Sequence, residues 1–306
     1  SYNTAVGHLA GTSVTTGVRN TLIGGLAGDA LTTGSYNASL GYDSLAVDTL
    51  GSRAVAIGYG ALSTQNFTSA TDNYNVGVGF SAGNAVTTGT NNTLIGGLAG
   101  DAITTGGSNV AVGFNALTAN TTAVYNVALG TNTLAGNTTG SENAVFGGAA
   151  ALANTTGTGL TGAGYTALRF NTTGNYNTAL GDAALYSNTT ASNNTAVGYQ
   201  SLYANTTGTS NNAVGYQALK ANSTGNNNAT LGNSSMRINT TGSQNTALGD
   251  AALYSNTTAN NNTAVGYQAG YSNTTGVNTF VGASVGRVNT TGTANTGVGG
   301  EVSGSY

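Results

Sequence analysis

The chain has 306 residues, a formal net charge of −3 and charged side chains at only 5% of positions, a balance that gives no electrostatic reason to expect a nucleic-acid partner. Cys, Trp and Pro are absent while Met and His occur once each, so disulfides, thiol chemistry and Cys/His zinc centres are excluded by inventory. With 49 Gly and 39% hydrophobic residues the chain suits neither a solvated tail nor a helical core, and no apolar run reaches the roughly 18 residues of a membrane-crossing helix.

The organising unit is the string Asn194-Thr-Ala-Val-Gly-Tyr-Gln200. Taking Gly198 as reference, equivalent glycines recur from Gly7 to Gly299 in 18 copies, 17 residues apart except for one step of 21 (Gly58 to Gly79) and one of 16 (Gly266 to Gly282). So strict a period over the whole length predicts stacked identical units. The expected fold class is therefore all-β: a parallel β-solenoid of 18 coils of 17 residues, forming a single domain over 1–306, with a four-residue corner insertion near 65–73. A corner loop absorbs such an insertion at small entropic cost.

Within each copy the residue before the glycine is apolar throughout, as in Ile23, Leu40, Leu180 and Val197. Thr, Val or Ala usually stands two positions further back, with a small residue between. This alternation predicts a short strand whose Val column faces inward and whose Ala/Gly column faces outward, open to a neighbouring chain. Four residues before the glycine stands Asn, in Asn177, Asn194, Asn211, Asn228, Asn245 and Asn262 among others, the exceptions being Ala54 and Leu160. Equivalent side chains on stacked coils lie about 4.7 Å apart, which predicts a ladder of amides bonded to one another.

A second Asn column lies seven residues after the glycine and opens Asn-Thr-Thr-Gly, whose glycines (Gly140, Gly174, Gly208, Gly242) are expected to take positive φ at a corner. These strings match the glycosylation sequon, but an inward ladder is the better reading. Four residues after the reference glycine most coils carry Leu or Met; Gly11, Gly28, Gly83 and Gly100 replace it, and Val14, Leu31, Val86 and Ile103 then stand where the later Asn would. One large group per coil is kept, so both positions open onto the same interior. Gly270 and Gly286 break this pattern, and Val288 is the replacement expected for the second.

One column reads as a candidate ligand or partner stripe. Five residues after the glycine come Arg169, Tyr186, Tyr203, Lys220, Arg237, Tyr254, Tyr271 and Arg287 in consecutive coils, expected to face out. Tyr on Tyr and cation on Tyr would stabilise such a surface, and the same stripe would suit cell-surface glycans or a neighbouring chain. A second aromatic column, with Tyr42, Tyr59, Phe80, Tyr199 and Tyr216, directly follows the glycine and is expected to pack at a corner or between chains. Acidic residues are scattered without a repeated pairing suited to acid/base chemistry, so no catalytic residue, metal site or cofactor is expected. The recurring threonines raise an ice-binding surface as an alternative, although adjacent Thr206 and Thr207 point to opposite faces.

The strings Asn-Thr-Ala-Val-Gly and Asn-Ala-Val-Gly-Tyr-Gln-Ala-Leu (Asn212 to Leu219) resemble the head repeats of trimeric autotransporter adhesins and related repeats of bacteriophage tail fibres. The resemblance implies a left-handed parallel β-roll with three chains side by side, displayed on a cell or virion surface as a non-catalytic fibre used for reach or attachment. No nucleic acid and no membrane insertion belong to this picture. The chain begins at Ser1, as a processed product or a piece of something longer would. Neither Ser1 nor Tyr306 adds a capping element, so the ends are expected to be covered, by further sequence or by end-to-end stacking into a filament.

Overall fold

A computed structural model describes residues 2–300, and among these residues it contains strands, turns and bends but no helix. The expected contacts of the terminal residues Ser1 and Tyr306 lie outside the described residues. The chain divides into two compact units, Ser1–Thr156 and Gly157–Tyr306, and each is a parallel β-solenoid with one short strand per coil, apart from an extra short pair at the enlarged corner of the first. In the first unit Thr21–Ile23 pairs in parallel with Thr4–Val6 and with Ala38–Leu40. In the second, Thr195–Val197 pairs with Thr178–Leu180 and Asn212–Val214 in the same way. The register advances by 17 residues, with Val55 opposite Val76 and Thr263 opposite Thr279 where the sequence steps by 21 and 16.

The reference glycine is required by both geometry and space. All copies take φ between 124° and 146°, a region closed to other residues, and a Cβ on Gly215 would lie 2.3 Å from the carbonyl oxygen of Gly232. Further left-handed residues stand two and four positions after it, as at Gln200 (φ 52°) and Leu202 (φ 50°), and five before it, as at Asn193 (φ 62°). The second-corner glycines depart from expectation, because Gly174, Gly208 and Gly242 are not in the positive-φ region. Close approach restricts them instead: a Cβ on Gly208 would meet the Gly225 oxygen at 2.3 Å.

The strand faces are the reverse of the expected ones. The small middle residue points inward, with Ala179, Ala196 and Ala213 fully buried, whereas the aliphatic residue before the glycine points out, leaving Leu40 47% and Leu231 54% exposed. Interior volume decides this. Leu185, Leu202 and Leu219 come across from the opposite wall and are themselves fully buried, and a close-packed interior this thin has room for only a methyl group facing them. A second small column three residues after the glycine, Ala184, Ser201 and Ala218, is buried beside them.

The exceptions obey the same volume rule. Where Gly28 and Gly100 remove the Leu, Leu31 and Ile103 enter from the later position as expected, and the strand centre also enlarges, to Leu22 and Leu94. A Cβ on Gly28 would lie 2.8 Å from Leu22 and 2.9 Å from Leu31. Gly270 and Gly286 are answered by Phe280, a buried strand-centre residue whose ring lies where both missing side chains would be. Val288, the expected replacement, is 52% exposed.

Two Asn columns satisfy the polar interior, in different ways. In the first, Asn211 Oδ1 accepts the backbone N–H of Asn228 at 3.0 Å while its Nδ2 donates to the Gly225 carbonyl at 2.8 Å. Asn177, Asn194, Asn228 and Asn245 repeat this pair of bonds. At Asn262 Oδ1 again accepts a backbone N–H, from Asn278 at 2.7 Å. Amide-to-amide bonds are secondary there, at 3.1 Å from Asn228, Asn245 and Asn262. The continuous amide ladder runs in the second column, where Asn188, Asn205, Asn222, Asn239 and Asn256 each donate to the Oδ1 one coil earlier at 2.7 to 3.0 Å. The following Thr adds a hydroxyl ladder, with Thr189 and Thr206 donating to the carbonyls of Thr206 and Ser223.

The insertion repairs a gap in these ladders. Ala54 removes one acceptor, and Asn73, within the expected segment 65–73, supplies another to the Asn75 N–H at 2.9 Å. A short parallel pair, Gly51–Ser52 with Thr71–Asp72, ties the enlarged corner down. Inside it Asp48 and Gln65 occupy the Asn column, joined at 2.7 Å. Burial pushes the Asp48 carboxyl above its ordinary range, against the lowering effect of bonds from Gln65 and the Gly51 and Phe67 N–H groups.

Candidate functional site

The solenoid places each sequence column on one line, so surface chemistry here comes as stripes. The expected stripe lies wholly in the second unit, half-exposed along most of its length, with Arg287 exposed. Tyr186 and Tyr203 stack at 4.9 Å between centroids and 7° between planes, and Tyr254 and Tyr271 do so at 5.0 Å and 7°. Between these pairs stand Lys220 and Arg237. The Lys220 ammonium is 5.9 Å from the Tyr203 ring centre. The Arg237 guanidinium is 6.0 Å from that of Tyr254 and donates to its hydroxyl at 3.0 Å. The central six residues thus read Tyr, Tyr, Lys, Arg, Tyr, Tyr, with each cation on one outer ring face.

The stripe is concave at its middle. Tyr203, Ala204, Lys220, Ala221, Arg237, Ile238 and Tyr254 line a cleft of about 400 Å³. The residue after each stripe position contributes: Ala204 and Ala221 leave room and Ile238 adds an apolar lining. At the stripe's beginning Phe170 fills the corresponding place and packs edge-on to Tyr186 at 5.1 Å. Arg169 lies over that ring at 5.6 Å, with its Nε buried and unbonded. Among the described residues the one ion pair is Arg53 with Asp72, so neither Lys220 nor Arg237 faces a carboxylate partner.

A second cationic stripe, in the first unit, escaped the sequence reading. Five residues before the glycine come Tyr2, Arg19, Tyr36, Arg53 and Tyr74, alternating ring and guanidinium. Arg19 lies 6.0 Å from the Tyr2 ring and 5.3 Å from Tyr36, and Arg53 lies 5.1 Å from Tyr36 and 5.7 Å from Tyr74. Arg19 also donates to the Tyr36 hydroxyl at 2.7 Å. Arg53 Nε meets Asp72 Oδ2 at 2.9 Å, and that carboxylate holds the guanidinium above its usual range. The signal was present as a column with the right spacing, but it sits in the turn before the Asn, outside the strand motif on which the copies align.

The column after the glycine is exposed rather than packed into a corner. Tyr42, Tyr59 and Phe80 stack in series at 5.7 and 5.5 Å, and Tyr199 stacks on Tyr216 at 5.5 Å. These rings stand beside the outward strand residues and continue their apolar surface. The Asn residues of the Asn-Thr-Thr strings, Asn188 and Asn205 among them, are fully buried, where no sugar could be attached. Among the described residues no three metal-ligating side chains cluster, and no helix is long and apolar enough to cross a membrane. Comparison with protein-family models, curated proteins and solved structures gives no match.

Proposed function

We propose that the protein is a structural, non-catalytic segment of a surface-displayed fibre or adhesin, on a cell or virion, that provides reach or attachment and associates with further copies of itself. The observation that carries this reading is the outward strand face. In each unit the residue before every glycine forms an apolar column along the coil stack, Leu40, Ile57, Val78 and Ile95 in one and Leu180, Val197, Val214 and Leu231 in the other, and the outward Thr, Val, Ala or Asn beside it adds no charge. Exposed apolar surface of this continuity marks an association face. An uncharged, regularly repeating face has nothing to attract an ionic ligand, whereas a second copy offers the same spacing in register. A stoichiometry of three follows from the resemblance to trimeric heads.

Mass measurement in solution tests it, with three times 29.9 kDa expected. A charge placed on the face by Leu231→Asp together with Leu40→Asp should give a folded monomer. A native chain that stays monomeric at high concentration would end the reading. One observation favours a second reading, an ice-binding surface: outward Thr residues stand in register along the strands, Thr161, Thr178 and Thr195, then Thr246 and Thr263. Thermal hysteresis in dilute solution would establish that reading over the first.

A further inference from the structure

We infer that the cleft around Lys220 and Arg237 is a binding site for a linear acidic glycan, a sugar chain carrying carboxylate or sulfate groups. The inference gives a ligand to the attachment role proposed above and rests on that role for its context alone.

The first argument is electrostatic. The stripe sets two like charges on adjacent coils, whose backbones lie about 4.8 Å apart by strand spacing, and like charges on neighbouring coils repel each other. Neither has a carboxylate partner, and each has a ring on one side only. A surface built for stability would separate them, as Tyr36 separates Arg19 from Arg53. The block arrangement is satisfied when an anion enters between the two cations.

The second argument concerns the shape of the anion. In the cleft Tyr203 and Tyr254 each have one ring face on the partner tyrosine and the other under a cation, so neither offers a free face for a nucleobase to stack on, and base stacking is the main attraction in single-strand nucleic-acid grooves. Two tyrosines line the cleft instead, together with Ala204, Ala221 and Ile238. Tyrosine hydroxyls, two cations and small apolar side chains match a sugar ring that offers C–H groups, hydroxyls and an acidic group. The stripe runs along the coil stack, so an extended chain would place successive rings against successive coils.

Titrations of the 306-residue chain with oligogalacturonate, a sulfated heparin oligosaccharide, neutral dextran and oligo(dT), with assembly state measured on the same samples, test the proposal. One or both acidic sugars should bind and dextran should not, and the acidic arm that binds identifies the group recognised. Lys220→Gln and Arg237→Gln should each weaken binding about tenfold or more, whereas Arg19→Gln should leave it unchanged. Absence of binding by the native protein, undiminished binding by the double variant, or preference for oligo(dT) would overturn the inference. A protein that assembles but binds no acidic sugar defeats this inference alone, and a monomer that binds one defeats only the self-association.

Discussion

Two stripes of tyrosines and cations, one in each unit, use the same side chains in different orders. In the first unit the order alternates, and each guanidinium lies between two rings at 5.1 to 6.0 Å, with Asp72 added at Arg53. In the second the rings are paired with each other and the cations are neighbours. Alternation leaves every charge locally answered, which is what a surface that only has to persist requires. The block order leaves two charges partly unanswered beside a cleft, and unanswered charge on a rigid frame is available to a ligand.

Both stripes depend on the same coil, so the largest effects come from breaking it. Gly215→Ala in one unit and Gly41→Ala in the other should each destabilise by about 4 kcal/mol, since each adds a strained backbone and a contact with the next coil's carbonyl. Chemical denaturation should show comparable losses in the two; a tolerated alanine in either would mean that the coils differ beneath the stripes. Next come the ladders. Asn211→Ala leaves the Asn228 N–H and the Gly225 carbonyl without their side-chain partner, an expected loss of about 3 kcal/mol for buried polar groups. Asn73→Ala, which removes only the bond to the Asn75 N–H because the Asn73 Nδ2 is unbonded, should cost less, about 1 to 2 kcal/mol.

A smaller and more pointed change converts one stripe into the other. The double change Tyr203→Arg/Lys220→Tyr gives the second unit the alternating order over six coils, from Arg169 to Tyr254. It should raise stability by about 1 kcal/mol, from the added cation–ring contacts and the relieved repulsion, and it should abolish binding of acidic oligosaccharides. If thermal melting shows the rearranged chain to be less stable, order is not what distinguishes the two stripes.

The coil length, the strand positions, both Asn columns and the exchange of large groups between two interior positions were legible in the residues, because a strict period turns each position into many observations of the same environment. The direction of the strand was not. Preference for burying Val over Ala pointed the wrong way, since the deciding quantity is the volume left by the Leu column opposite. That quantity had a signature: Leu22, Leu94 and Phe280 replace the small strand-centre residue next to coils whose Leu position holds Gly. Likewise Ala54 and the insertion were each visible, but only the bond from Asn75 to Asn73 shows that one answers the other. The stripe in the second unit was legible as a column; its cleft was not, because concavity depends on the adjacent Ala204, Ala221 and Ile238.

The smallest expected effect concerns what holds the alternating stripe. The Arg53–Asp72 pair is exposed, at 43% and 50% of its side chains, and such charges are largely screened at physiological salt. The ring of Tyr36 by contrast lies between Arg19 and Arg53 and bonds to Arg19 through its hydroxyl. Asp72→Asn should therefore leave the melting temperature unchanged within error at 0.15 M salt, lowering it only at low ionic strength. Tyr36→Leu should lower it at both, because ring contacts and the hydroxyl bond are lost regardless of salt. A melting temperature more sensitive to Asp72→Asn than to Tyr36→Leu would make the first unit's stripe an ion-pair device, and the order of rings and cations would then carry no contrast between the units.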